Sequence, residues 1–262
     1  MRIALCQISS TADPQENLVT VRTEVANAAA QGARVVQFPE ATQCRFGVPL
    51  GPVAEPLNGP WATAVREIAD EHNVVVVAGM FTPGEGNRVA NTTLVTGAGL
   101  HLGYDKIHLF DAFGFRESDT VTPGDKPVTF DVDATTIGLA TCYDVRFPEL
   151  FRTLAGTAPV ILLGASWGAG PGKADQWDLL VRARALDATS WILACGQADP
   201  VSTFGTDHGS APTGIGRSAV VDPLGSVRER LGGAPGTILS DVDVPLVEEA
   251  RTMLPVLANR RL

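Results

Sequence analysis

Lysine is scarce in this chain of 262 residues. It occurs only as Lys106, Lys126 and Lys173, so nearly all of the positive charge is arginine. Each lysine marks a place where arginine was not used, although a coding bias would leave the same count. Basic charge in excess is missing as well: the formal net charge is −9 and the pI is near 4.9. That balance argues against a nucleic-acid partner or an anionic membrane surface. No window reaches the ~20 apolar residues of a membrane span. Core material is ample all the same, with 45% hydrophobic residues and a mean hydropathy of +0.12. The opening MRIALCQISS lacks the marks of a signal peptide, since its apolar run is short, is interrupted by Gln7 and precedes no small-residue cleavage pattern. Cysteine occurs four times, at Cys6, Cys44, Cys142 and Cys195. Spread this far apart, these residues read as free thiols of a reducing cytoplasm rather than a disulfide framework.

Other absences exclude chemistry. The histidines are His72, His101, His108 and His208, none in an evident catalytic context, and the cysteine and histidine spacings match no zinc template. No dinucleotide fingerprint follows the first strand. Gly168–Lys173 departs from a phosphate loop, because Trp167 stands at the required first glycine and Ala174 replaces the magnesium-binding Ser/Thr. No linker, low-complexity tract or internal repeat interrupts residues 1–262, which read as a single domain.

What is present is an alternation of strands and helices with hairpins mixed in. Arg2 to Ser9 reads as a strand. Asp13-Pro14-Gln15-Glu16 reads as a helix start with Asp13 as N-cap and Glu16 completing a capping box. Leu18, Val21, Val25 and Ala28 follow at helical spacing, up to Gly32. Arg34 to Phe38, Val74 to Met80, Val160 to Ser166 and Trp191 to Cys195 are apolar strand patterns. Asn91–Thr96 and Leu102–Lys106 flank a Gly-Ala-Gly turn, and Val128–Val132 with Ile137–Cys142 repeat the hairpin theme. Ser218–Val221 and Ile238–Val242 complete the strands. Helices are expected from Pro60, with Trp61, Val65, Ile68 and Ala69 on one face, from Pro148, and over Ala174–Asp187 with Trp177, Leu180, Val181 and Ala185 inward. Asp131, Asp133, Asp241 and Asp243 alternate and point at water. Hairpins within an alternating α/β order suit two packed sheets covered by helices.

Three reactive residues stand where a strand leaves the core: Glu40 ends VVQFPE, Lys106 ends HLGYDK and Cys142 ends TIGLATC. Ligands gather at such strand ends. Each residue also has a bland reading, as a turn glutamate, a solvated lysine tip or a small core cysteine. Together their chemistry is coherent. A carboxylate between apolar walls can take a thiol proton near neutral pH, and a lysine between acid and thiol can stabilise an oxyanion. Glu40 thus fills the role that no histidine fills.

FPE at Phe38–Glu40, DKIHLFD at Asp105–Asp111 and CYDVRFPEL at Cys142–Leu150 resemble, in order and spacing, the three motifs of the nitrilase superfamily of carbon–nitrogen hydrolases. MRIALCQIS, ES…TPGD (Glu117–Asp125), QWDLLVRARALD (Gln176–Asp187) and GRSAVVDPLGSV extend the resemblance over nearly the whole chain. It implies an αββα four-layer sandwich that pairs across a homodimer, αββα-αββα, or in a larger homo-oligomer. It implies hydrolysis of non-peptide C–N bonds with no metal or organic cofactor. By resemblance Glu40 is the general base, Lys106 the oxyanion-stabilising cation, Cys142 the nucleophile and Glu117 the second glutamate, while the Tyr143 N–H completes the oxyanion hole. The residues after Cys142 resemble the Nit-type amidases (omega-amidase and deaminated-glutathione amidase), whereas true nitrilases tend to carry Cys-Trp-Glu. The expected activity is therefore that of a cytoplasmic thiol amidohydrolase that forms a thioester and releases ammonia from a small, carboxylate-bearing amide. Arg146 is a candidate for that carboxylate and Trp167 for the acyl pocket. An Asp144–Arg146 ion pair is expected to brace the turn. The alternatives are a carbamoyl hydrolase or nitrilase of the same superfamily, or a non-catalytic metabolite-binding member. Gln176-Trp177 replaces the usual HW, Asp187-Ala188 replaces EN, and SWGAGPGK (Ser166–Lys173) replaces a different pocket-lining sequence. These departures touch the substrate, not the reaction class.

Overall fold

The computed structural model describes residues 1–206, 209 and 211–261; His208 lies outside them. In chain order the first half holds β1 (Arg2–Gln7), α1 (Pro14–Ala30), β2 (Val35–Gln37), α2 (Pro60–Glu71), β3 (Val75–Pro83), β4 (Val89–Gly97), β5 (Leu100–Asp105), the short hairpin β6 (Asp111–Ala112) and β7 (Phe115–Arg116), and β8 (Val121–Thr122). The second half holds β9 (Thr129–Val132), β10 (Thr135–Thr141), α3 (Pro148–Leu154), β11 (Val160–Ala165), α4 (Lys173–Ala188), β12 (Trp191–Gly196), α5 (Pro200–Phe204), β13 (Ala219–Val221), β14 (Val227–Arg230), β15 (Gly236–Asp241) and α6 (Pro245–Met253).

The strands form two large sheets, ordered β15-β1-β2-β3-β4-β5 and β14-β13-β12-β11-β10-β9. Their centres are parallel: Ile3 lies beside Val35 and Val35 beside Val75, while Leu139 lies beside Leu162 and Leu162 beside Leu193. β15 crosses from the C-terminal half to pair antiparallel with β1.

Side-chain parity makes the layers, because successive residues of a strand face opposite sides. In β3, Val75 and Val77 join a central core between the sheets, and Val76, Ala78 and Met80 join an outer one under α1 and α2. In β11, Val160 and Leu162 face the centre, whereas Ile161, Leu163 and Ala165 face α3 and α4. Continuous apolar runs are thus divided between two cores, and the architecture is the expected αββα sandwich. Among the described residues no helix is long and apolar enough to cross a membrane.

Local readings differ in three places. Asp13 caps α1 by accepting from the Gln15 amide at 2.8 Å, the near-neighbour form, rather than through the reciprocal box expected with Glu16. The buried face of α4 is Trp177, Val181, Arg184, Ala185 and Ala188; Leu180 is only half-buried. Arg184 bonds the Val145 carbonyl and Asp187 there. Cys142 is not the last residue of a strand but the first of a 3₁₀ turn, Cys142–Arg146.

Candidate active site

The two sheets bring Glu40, Lys106, Glu117 and Cys142 together at their seam. Glu40 follows β2 and Lys106 follows β5, both in the first sheet. Cys142 follows β10 in the second, and Glu117 opens a 3₁₀ turn after β7. Glu40, Lys106 and Glu117 are 1%, 2% and 5% exposed and Cys142 is 9% exposed. Gly79 makes room for the first of them: a Cβ there would meet the Ala41 nitrogen at 2.4 Å, so β3 can carry only hydrogen at this position.

The Lys106 ammonium donates to Glu40 Oε1 at 3.1 Å, Glu117 Oε1 at 3.1 Å and Glu117 Oε2 at 2.9 Å. Glu40 Oε2 accepts from the Ser166 backbone N–H at 2.7 Å, which ties the acid to the second sheet. Glu117 Oε2 also accepts from the Phe110 N–H at 2.6 Å. Burial alone would push the Lys106 ammonium down, but Glu40 and then Glu117 overcome it and hold the group well above its usual range. Burial, followed by the Glu40 carboxylate, pushes the Cys142 thiol well up, against the pull of Lys106. Two carboxylates around one ammonium already leave a net negative charge, so a third anion on sulfur is disfavoured. The resting proton therefore sits on sulfur, next to a carboxylate able to take it.

Cys142 has φ +48°, in the left-handed region that a side chain rarely adopts. Strain of this kind gathers at functional sites. The turn that imposes it is held by Asp144, whose Oδ2 accepts from the Thr141 N–H at 2.9 Å, the acid arm of a capping box in Thr141-Cys-Tyr-Asp144. Cys142 and Tyr143 occupy the first two positions of the turn, where backbone N–H groups have no partner within it. The Sγ atom lies 3.9 Å from the Ser166 carbonyl.

The expected Asp144–Arg146 ion pair does not form. Residues two apart on a turn do not face each other, and Asp144 points inward, to Tyr104 Oη at 2.6 Å, His108 N at 3.0 Å and His108 Nδ1 at 2.7 Å. Arg146 donates to Gln176 Oε1 at 2.8 Å. It lies over the rings of Tyr143 and Trp167, 5.8 and 5.2 Å from their centroids. Trp167 is buried against Trp177.

Two participants escaped the sequence reading. Asn91 Nδ2 donates to Glu40 Oε1 at 2.8 Å and to Glu117 Oε1 at 3.3 Å, linking both acids. Its signal lies in the hairpin register. In the β4–β5 hairpin Gly97 faces Leu100 and Thr92 faces Asp105, so Asn91 must lie opposite Lys106, whose N–H bonds the Asn91 carbonyl at 2.9 Å. His108, the second, is the partner of Asp144 and stacks on Phe147.

The profile of the family described as Carbon-nitrogen hydrolase matches residues 2–252. A hydrolase of Mycobacterium tuberculosis, Rv0480c, is 51% identical over 267 residues, covering 99% of this chain and 95% of that one. Omega-amidase NIT2 of Mus musculus is 32% identical over 271 residues, covering 99% and 95%. Among solved structures, a mutant of the amidase from Nesterenkonia sp. AN1, with covalent addition of the acetamide moiety of fluoroacetamide at its active-site cysteine, superimposes with a TM-score of 0.82 at 25% identity, covering 100% of this chain and 94% of that one.

Proposed function

The chain belongs to the carbon–nitrogen hydrolase family, and from that premise we propose that it is a thiol amidase that releases ammonia from a small, carboxylate-bearing amide. The observation that carries this reading is the buried Glu40–Lys106–Glu117 ion cluster gathered with the Cys142 thiol at the seam of the two sheets. The amidase names of the mouse and Nesterenkonia relatives support it.

In this mechanism the Glu40 carboxylate takes the Cys142 proton as sulfur attacks the amide carbon. The carbonyl electron pair moves onto oxygen, where Lys106 and the Tyr143 N–H stabilise it. Collapse breaks the C–N bond, and Glu40 returns the proton to the nitrogen, which leaves as ammonia. Water then attacks the thioester while Glu40 accepts its proton. The second collapse expels sulfur, which is reprotonated as the free acid departs. Glu117 takes no proton in this scheme; with Asn91 it fixes Lys106. Arg146 and Trp167 belong to the mouth of the site. All steps use this chain's own residues, without metal or organic cofactor. The same reading takes residues 1–262 as one domain, since both sheets share the central core. It also takes the protein as a cytoplasmic homodimer or larger homo-oligomer.

The test is ammonia release from alpha-ketoglutaramate, deaminated glutathione, simple aliphatic amides, carbamoyl amino acids and a nitrile, with Cys142→Ala as control. Cys142-dependent release from a carboxylated amide is expected. Release only from the carbamoyl compounds or the nitrile would move the reading to those reactions. Silence across the panel, together with a Cys142 inert to alkylation, would favour a non-catalytic binding member.

A further inference from the structure

Two half-buried cations flank Trp167 beside the buried cluster. The Arg146 guanidinium carbon lies 5.2 Å from its ring centroid and Lys173 Nζ lies 5.9 Å from it. Trp167 follows Ser166, which contacts both Glu40 and Cys142, and Tyr143, under Arg146, follows Cys142 itself. Arg146 therefore stands on the turn that holds the nucleophile, and Lys173, whose carbonyl accepts from Trp167 Nε1, lies against the ring next to Ser166.

Among the described residues neither is paired with an acid. The polar partner of Arg146 is the uncharged amide of Gln176. Lys173 rests on rings instead, 4.0 Å from the Phe113 centroid and 5.4 Å from that of Phe110. It is the first residue of α4, the end of a helix where the macrodipole disfavours a cation. Partial burial, and then Arg146, push its ammonium down. A lysine set against a helix dipole and beside another cation, with no acid paired to it among the described residues, breaks the local rules in the way functional positions do.

The inner site has the opposite sign, with two carboxylates around one ammonium. The field thus runs from negative at the thiol to positive at Arg146 and Lys173. A substrate with an amide at one end and a carboxylate at the other is aligned by it in one sense only, amide inward.

We infer that Lys173 and Arg146 together grip the carboxylate of the substrate, making Lys173 a specificity-determining residue for amides that carry a carboxylate a few bonds from the scissile carbonyl. This rests on the amidase reading above. The competing role for Lys173 is to pin the β6–β7 hairpin through Phe113, which would act on charged and uncharged reactants alike.

The experiment separates the two. Cys142 is alkylated with iodoacetate and with iodoacetamide, near-isosteres that differ in charge, and the labelled peptide is quantified in wild type, Lys173→Met and Lys173→Arg. Lys173→Met is expected to lower the iodoacetate-to-iodoacetamide rate ratio about tenfold, or ~1.4 kcal/mol, and Lys173→Arg to restore most of it. An unchanged ratio overturns the inference, whether the two rates fall in parallel or stay put. The same ratio is then read as kcat/KM for succinamate against butyramide. If wild type releases ammonia from neither of these two amides and from no other amide of the panel, but the alkylation ratio falls, the amidase reading fails and the anion grip stands. If both amides are hydrolysed and neither ratio moves, the grip fails and the amidase reading stands.

Discussion

Tyr104 donates its hydroxyl to Asp144 Oδ2 at 2.6 Å across the interior between the sheets, with both side chains fully buried. Tyr104 stands two residues before Lys106, and Asp144 two residues after Cys142. One hydrogen bond thus links the strand that delivers the cation to the turn that delivers the thiol. Burial, and then Asp144, hold the Tyr104 phenol well above its usual range, so it stays a donor at any working pH. Tyr104→Phe leaves Asp144 its Thr141 and His108 partners. The expected cost is about 1–2 kcal/mol in urea unfolding and roughly tenfold in kcat with KM little changed, since small misplacements of reacting groups cost rate. A variant with wild-type kcat would show that the link positions nothing.

Removing the buried ammonium leaves Glu40 and Glu117 facing each other unpaired. Lys106→Met is expected to abolish turnover and to destabilise by about 3–5 kcal/mol, the usual result of breaking a buried pair from one side. Adding Glu117→Gln is expected to recover part of that stability, because the cluster then carries one uncompensated carboxylate instead of two. Strictly additive unfolding energies would argue that the two residues act independently. Lys106→Arg is expected to remain inactive, since a planar fork does not fit the place of a compact ammonium.

The left-handed backbone at Cys142 makes a prediction about two dead enzymes. On the proposed mechanism Cys142→Ala and Cys142→Gly both lose the nucleophile, so neither is expected to release ammonia or form a thioester. Glycine adopts φ +48° without steric cost, whereas alanine keeps the strain. Cys142→Gly is therefore expected to be more stable than Cys142→Ala by about 1 kcal/mol. Equal melting temperatures would mean the turn carries no strain.

Alkaline pH is expected to weaken the fold through its thiols. Burial, then Glu24, raises the Cys6 thiol; burial, then the Glu40 carboxylate, raises Cys142; and burial, then Cys6, raises Cys195. The unfolded thiols begin to ionise near pH ~8.5 while the folded ones stay protonated. Above that pH the unfolded chain binds fewer protons than the native one, so stability falls as pH rises. The slope is up to about 1.4 kcal/mol per pH unit for each thiol. Urea titrations from pH 7.5 to 10 on wild type and Cys195→Ala would read it. The variant is expected to show the shallower decline, and identical slopes would refute the linkage.

The sequence showed clearly what was local or periodic. Strand parity, the Pro60 and Pro148 helix starts and the strand-end positions of Glu40 and Lys106 are all short-range patterns, and the structure repeats them. Asn91 was hidden because it is one amide within an otherwise ordinary strand, VANTTLVTG, and its meaning appears only once the hairpin register sets it opposite Lys106. The partners of Asp144 were misjudged for the same reason. Proximity in sequence suggested Arg146, while the true partners, Tyr104 and His108, come from the other sheet's strand and the segment that follows it. Hydrogen bonds between sheets leave no periodic trace.

Glu40 and Lys106 belong to one sheet and Cys142 to the other, and β15 of the C-terminal half closes the edge of the first. No contiguous fragment shorter than Arg2–Asp241, therefore, holds the complete sheet that carries the acid and the cation. Catalysis inspects the whole assembly: a molecule whose halves have folded but not docked has every reactive group and no site. Turnover per mole of chain then measures how many molecules have their two sheets docked, a quantity that secondary-structure signals alone would overstate.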